Sequence, residues 1–218
     1  MNKCRPTCAG GDEMSLVEVK GKKVLITGGA RGMGRLWANH FLQDGARVII
    51  WDASKEALVE ADQFFAATNH TVLSAVVDVT DEEAVDKAAS EIEGKCGTVD
   101  IVVNNAGIVK ASKFEDVKYA DLKRTVDVNL NGLMLVTKRF LPAMMARNDG
   151  GLINVASASG FIGVPYMPAY SASKWGVIGF TESIRLELKQ GGFDKIAVTL
   201  FCPSYVNTGM FKGAKAPM

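Results

Sequence analysis

Six short runs of apolar residues, nearly free of polar alternation, limit what this chain can fold into. They are Val24-Leu25-Ile26, Val48-Ile49-Ile50, Val72 to Val77, Ile101-Val102-Val103, Leu152 to Val155 and Ile196 to Phe201. A strand that is apolar at successive positions is buried on both faces, which a parallel sheet covered by helices provides. The longer amphipathic stretches between them predict helices near Gly32–Gln43, Lys55–Ala66, Asp81–Glu93, Tyr119–Arg147 and Pro168–Lys189. Each is long enough to carry the chain back for another parallel strand. The expected fold is therefore α/β: one doubly wound, Rossmann-type parallel sheet in strand order 3-2-1-4-5-6, with helices on both faces. Asp81, ahead of Glu82 and Glu83, is expected to cap its helix, with both acids in the favourable first turn.

The composition suits one such domain. Of 218 residues, 48% are hydrophobic, enough for a single core, and nothing resembling a repeat or linker marks a second. Residues 1–20 read as a flexible leader and 21–218 as the domain. A net charge of +1 without a long Lys/Arg run argues against a nucleic-acid surface. No run reaches the roughly eighteen apolar residues of a membrane span, and no signal peptide is evident. Cys4, Cys8, Cys96 and Cys202 are scattered, and His40 and His70 are isolated. Free thiols in a reducing cytoplasm, with no metal site, are the expectation.

The first apolar run leads directly into Thr27-Gly28-Gly29-Ala30-Arg31-Gly32-Met33-Gly34. Between a strand and a helix, such glycines let the backbone turn tightly and approach a pyrophosphate, whose charge meets the helix N-terminus. Asp52 closes the second strand. An acid there accepts hydrogen bonds from the adenosine ribose hydroxyls and repels a 2′-phosphate, favouring NAD over NADP. It could also serve as the helix cap ahead of Ser54-Lys55-Glu56. Arg31 argues the other way, since a guanidinium in the turn would welcome a 2′-phosphate. Asp78, ending the third strand, is either a contact to the adenine edge or an ordinary turn residue.

The chemistry points to Tyr170 and Lys174, four residues apart and hence one turn apart on a helix, with Ser157 thirteen residues before the tyrosine. An ammonium beside a phenol favours the phenolate, so Tyr170 is expected to titrate below its usual value near 10 and to exchange an alcohol proton. Ser157 would hold the reacting oxygen. A Tyr/Lys pair alone is also a common solvated helix face.

In this order and spacing, the turn from Thr27 to Gly34, Asn104-Asn105-Ala106-Gly107, Asn129, Ser157, Tyr170 with Lys174, and Pro203 resemble the short-chain dehydrogenase/reductase family from Lys22 to about Phe211. The resemblance implies a tetrad of Asn129, Ser157, Tyr170 and Lys174. In it Tyr170 is the acid/base, Ser157 orients the substrate oxygen, Lys174 grips the nicotinamide ribose and Asn129 holds a water between Lys174 and solvent. The cofactor residues it implies are Gly28, Arg31, Gly32, Met33, Gly34, Asp52, Asp78, Val79, Asn105, Ala106, Gly107, Tyr170, Lys174, Pro203, Val206 and Thr208. Ser204 stands where the family usually has glycine, which leaves the shape of that loop open. Ser159, a second hydroxyl near Ser157, is expected in the substrate pocket or a turn.

The ending Asn207-Thr208-Gly209-Met210-Phe211-Lys212-Gly213 resembles the retinol and 17β-hydroxysteroid dehydrogenase branch. Together with Phe161, Ile162, Val164, Tyr166 and Met167 on the expected substrate side, it suggests an apolar alcohol or ketone; ordinary loop packing of those residues is the competing reading. The expected activity is NAD(H)-dependent interconversion of an alcohol and its carbonyl. An NADP-linked reductase and a non-catalytic dinucleotide-binding scaffold or sensor are the alternatives. Leu130, Leu133, Val136, Phe140, Leu141 and Met144, with Trp175, Ile178 and Ile184, suggest more apolar surface than one sheet face hides, hence a homodimer through the two long helices. Members of the family usually continue beyond the Pro203 segment into a lid and a further edge strand. The expectation is a truncated chain whose residues from Thr208 to Met218 begin that lid.

Overall fold

The structure, a computed structural model, describes residues 18–206. In order it contains β1 (Lys23–Thr27), α1 (Gly32–Gln43), β2 (Arg47–Asp52), α2 (Lys55–Ala67), β3 (Leu73–Val76) and α3 (Glu82–Cys96). There follow β4 (Ile101–Asn104), α4 (Tyr119–Val126), α5 (Gly132–Arg147), β5 (Gly150–Val155), α6 (Pro168–Gln190) and β6 (Ile196–Phe201). The strands form one six-stranded parallel sheet in the order β3-β2-β1-β4-β5-β6. All six expected strands are present, and the strand order is the expected one.

The two-sided apolar character of the runs divides cleanly between the faces. Val24, Ile26, Val48, Ile50, Ile101 and Val103 face α1 and α2, packing with Ala38, Ala57, Leu58, Ala61 and Phe65. Leu25, Ile49, Trp51, Val102 and Leu152 face the opposite way, against Val85, Ala89 and Ile92 of α3 and Val136, Phe140 and Met144 of α5. Alternate residues of one strand therefore serve two separate cores, as the pleat requires. The outer strands are less enclosed. Leu73 and Val76 of β3 are exposed, as are Thr199 and Phe201 of β6.

Asp81 caps α3, accepting from the Ala84 N–H at 3.0 Å. The long helix expected over Tyr119–Arg147 is interrupted by a π-helical turn at Asp127–Asn131. Asn129 sits in that turn, fully buried, with both ends of its amide tied to the backbone of Ile108: Oδ1 accepts from the N–H at 2.8 Å and Nδ2 donates to the carbonyl at 3.0 Å. The extra residue in the turn accompanies an inward-facing polar side chain, a common use of π-bulges.

The strand order reverses between β1 and β4, where the connections from their carboxyl ends diverge to opposite faces of the sheet. That divergence opens a crevice at the C-terminal edge.

Candidate active site

A cavity of about 600 Å³ occupies this crevice. Gly28, Arg31, Gly32, Met33, Asp52, Asp78, Val79, Asn105, Ala106 and Gly107 line it toward β1–β3, and Ser157, Tyr170, Lys174, Pro203 and Val206 toward β5 and α6. Gly34 and Asn129 stand behind this wall. Thr208 lies outside the described residues.

The turn after β1 is built for close approach. Gly28 has φ +61°, and a Cβ there would come 2.9 Å from the Ala106 Cα. A Cβ on Gly34 would fall 2.2 Å from the Gly28 carbonyl oxygen. The Thr27 hydroxyl accepts from the N–H groups of Asn105 (3.1 Å) and Ala106 (3.0 Å), while the Asn105 amide donates to the carbonyls of Thr27 and Gly28 at 3.0 Å each. These bonds tie the glycine turn to the loop after β4. Arg31 enters α1 in extended geometry with no side-chain cap, so the first N–H groups of the helix face the cavity region without one.

At the end of β2, Asp52 accepts from the Ala30 N–H at 3.3 Å and the Ser54 N–H at 3.0 Å. The cap of α2 is Ser54, whose hydroxyl accepts from the Ala57 N–H at 3.1 Å. The cap role left open for Asp52 thus falls to Ser54. Arg31, on the cavity wall, pairs with Glu60 of α2 at 3.1 Å. Asp78, in the turn after β3 and on the cavity wall, accepts from the Thr80 N–H (3.0 Å) and hydroxyl (2.8 Å) and pairs with Arg124 at 2.6 Å. Partial burial pushes its carboxyl upward, but the Thr80 N–H, the Arg124 guanidinium and the Thr80 hydroxyl outweigh this and hold it below its ordinary value.

At the other end of the cavity, Pro168 opens α6, and both Tyr170 and Lys174 point inward, 6% and 4% exposed. The Lys174 ammonium donates to the Val155 carbonyl at 2.7 Å and lies 5.7 Å from the centre of the Tyr170 ring. Burial lowers its pKa from 10.5 to about 8. The expected lowering of Tyr170 is not found. Burial raises the phenol above its usual value, and a Ser157 hydrogen bond only partly offsets this. The cause is burial of the phenol, while the Lys174 ammonium hydrogen-bonds to the β5 carbonyl of Val155 rather than to the phenol oxygen. Ser157, extended at φ −171°, caps the turn Ala158–Gly160, its Oγ accepting from the Ser159 N–H at 3.2 Å. Ser159 is a buried turn residue outside the cavity lining.

Asn129 Oδ1 and Lys174 Nζ both flank Gly107, 3.4 and 3.7 Å from where a Cβ would stand. A bridging residue went unnoticed in the sequence: Ser173, whose hydroxyl accepts from Asn129 Nδ2 at 3.1 Å and donates to the Tyr170 carbonyl at 2.7 Å. Nothing in a Y-x-x-x-K spacing signals it. Arg124, Ile108 and Val128 are further lining residues the sequence did not reveal. Of the proposed substrate-side residues, Met167 is buried and Val164 half-buried, whereas Phe161, Ile162 and Tyr166 are exposed around the segment before α6.

Fold and site together define a doubly wound α/β protein with a buried tyrosine–lysine pair in the crevice at the C-terminal edge of its sheet. The family model described as short chain dehydrogenase matches residues 22–218, and the chain belongs to that family. It is similar to estradiol 17-beta-dehydrogenase 11 of Macaca fascicularis, with 37% identity over 194 residues, 89% of this chain and 65% of the relative. It is likewise similar to epidermal retinol dehydrogenase 2 of Mus musculus, with 39% identity over 199 residues, 89% of this chain and 63% of the relative. These matches support the steroid and retinol branch of the family; the chain spans just under two thirds of such relatives. Among solved structures, a short chain dehydrogenase/reductase from Burkholderia phymatum in complex with NAD superimposes with a TM-score of 0.86. That match has 28% identity and covers 93% of this chain and 72% of the other.

Proposed function

We propose that the protein is an NAD(H)-dependent oxidoreductase that interconverts an apolar alcohol and its ketone or aldehyde. One observation carries the reading: a single crevice holds the uncapped end of α1 and Asp52 at one end, and Ser157, Tyr170 and Lys174 at the other. A dinucleotide fits this crevice, since one cavity of about 600 Å³ runs from the glycine turn and Asp52 to Ser157, Tyr170 and Lys174.

When bound, the nicotinamide would supply or accept the hydride. The chain's own residues would do the rest. The α1 N–H groups would meet the pyrophosphate, and Asp52 would accept from the adenosine ribose. Lys174, pinned toward Val155, would contact the nicotinamide ribose, while Ser157 Oγ would hold the substrate oxygen. Tyr170 Oη would give or take the alcohol proton. Asn129, fixed by Ile108 and Ser173, would hold water beside Lys174.

The apolar substrate class rests on the exposed Phe161 and Ile162, on Tyr166, and on the similarity to proteins named for estradiol and retinol. We also propose a homodimer through the face of α4–α6. The surplus apolar surface is smaller than the sequence suggested: Leu133, Val136, Phe140 and Met144 are buried within the protomer, while Leu130, Leu141, Ile178 and Ile184 are half-buried and Trp175 and Leu186 exposed.

The test is a panel of apolar alcohols and carbonyls read by nicotinamide absorbance with both cofactors. NAD-linked turnover is the expected result. Dinucleotide binding without turnover of any substrate would instead favour a scaffold.

A further inference from the structure

The adenosine end of the crevice holds a contradiction that Asp52 alone does not resolve. Arg31 lines the cavity in the turn that would pass closest to an adenosine ribose, and a guanidinium there would draw in a 2′-phosphate. Its guanidinium is engaged elsewhere, however: NH2 meets Glu60 Oε1 at 3.1 Å. Glu56 stands one turn earlier on the same face of α2, its carboxylate held by the Ser54 hydroxyl at 3.0 Å and close enough to Arg31 to be lowered by it, behind its own backbone and Ser54 hydrogen bonds and Lys55. Asp52 completes the group, fixed by the N–H groups of Ala30 and Ser54.

We infer that Glu60 is a specificity-determining residue for the dinucleotide, holding Arg31 against α2 so that the 2′ position faces carboxylates. This deepens the NAD reading and rests on it. The guanidinium is already paired with Glu60 and lies near enough to lower Glu56, so a 2′-phosphate arriving there meets an engaged arginine and the Asp52 carboxylate on the same cavity wall. An exposed ion pair adds little to fold stability. Specificity, however, is a difference of affinities, and here it turns on where one cation points. Glu60 therefore acts through Arg31 and need not touch the cofactor.

The experiment compares adenosine 5′-monophosphate with adenosine 2′,5′-bisphosphate by calorimetry on the full chain, its Glu60→Gln and Arg31→Ala variants, and the double variant. Unfolding temperatures are recorded beside them to show that each variant is folded. Glu60→Gln should move the affinity ratio toward the bisphosphate by roughly threefold to tenfold. Arg31→Ala should move it the other way, and the double variant should show no gain over Arg31→Ala. A Glu60→Gln ratio equal to that of the unmodified chain overturns the inference. So does a gain that persists without Arg31, because loss of negative charge alone would then explain it. Failure of the underlying reading looks different: the unmodified chain would itself bind the bisphosphate at least as tightly as the monophosphate.

Discussion

Replacing Lys174 by methionine should make the ligand-free protein more stable at neutral pH while removing its activity. The amine is 4% exposed, its hydrogen bond goes to the Val155 carbonyl, and burial brings its pKa from 10.5 to about 8. That displacement corresponds to about 3 kcal/mol set against folding wherever both folded and unfolded chains carry the charge. Methionine keeps most of the packed stem and removes the charge, but leaves the Val155 carbonyl without its donor, at about 1–2 kcal/mol. The net gain at pH 7 is therefore about 1–2 kcal/mol. The sign reverses with pH. Below pH 8 both states are protonated and the penalty is complete. Between pH 8 and 10.5 the folded chain has released a proton that the unfolded chain still binds, so the natural protein gains stability as pH rises. Above that window only the lost hydrogen bond remains, and the variant becomes the weaker protein. Urea unfolding from pH 7 to 10.5 measures this, with Cys202, whose charge acts on Lys174, replaced by serine in both proteins. A difference that does not change with pH, or a natural protein more stable throughout, would refute the argument.

Tyr170→Phe should lower turnover by about 10²-fold or more while changing NADH affinity, read by fluorescence titration, by less than about threefold. Substantial residual activity would remove Tyr170 from the acid/base role. Asp52→Ser should shift the kcat/KM ratio toward NADP by about tenfold or more, through loss of charge-assisted ribose bonds and of one repulsion; an unchanged ratio would count against Asp52. Gly34→Ala forces a Cβ to 2.2 Å from the Gly28 oxygen and 2.7 Å from Asn105 Nδ2. It should cost more than about 2 kcal/mol in chemical unfolding and weaken dinucleotide binding, and a neutral effect would show that the turn yields. Light scattering at micromolar concentration should give twice the chain mass, and Trp175→Glu, on the exposed face of α6, should return it to one.

How much of this was legible in the chain follows from which contacts are local. The strands could be read because burial on both faces leaves a mark in the residues themselves: Leu25 and Ile26 are both apolar although they belong to different cores. The glycine turn could be read because Gly28 and Gly34 occupy places that other side chains cannot. The π-helical turn could not, since one extra residue at Asp127–Asn131 barely disturbs a helical apolar pattern and its cause, Asn129 reaching Ile108, lies 21 residues away. The pairings of Asp78 with Arg124 and Arg31 with Glu60 were hidden for the same reason, as each joins separate elements. The tyrosine shows how a correct pair of residues can yield the wrong electrostatics. Spacing places Tyr170 and Lys174 on one helix face, but it says nothing of where the ammonium points, and the β5 carbonyl claims it. Burial raises the phenol, and the Ser157 hydrogen bond only partly offsets this. If Tyr170 is the acid/base proposed above, its phenolate would need a donor or positive charge beyond what Ser157 and Lys174 bring to it in this arrangement.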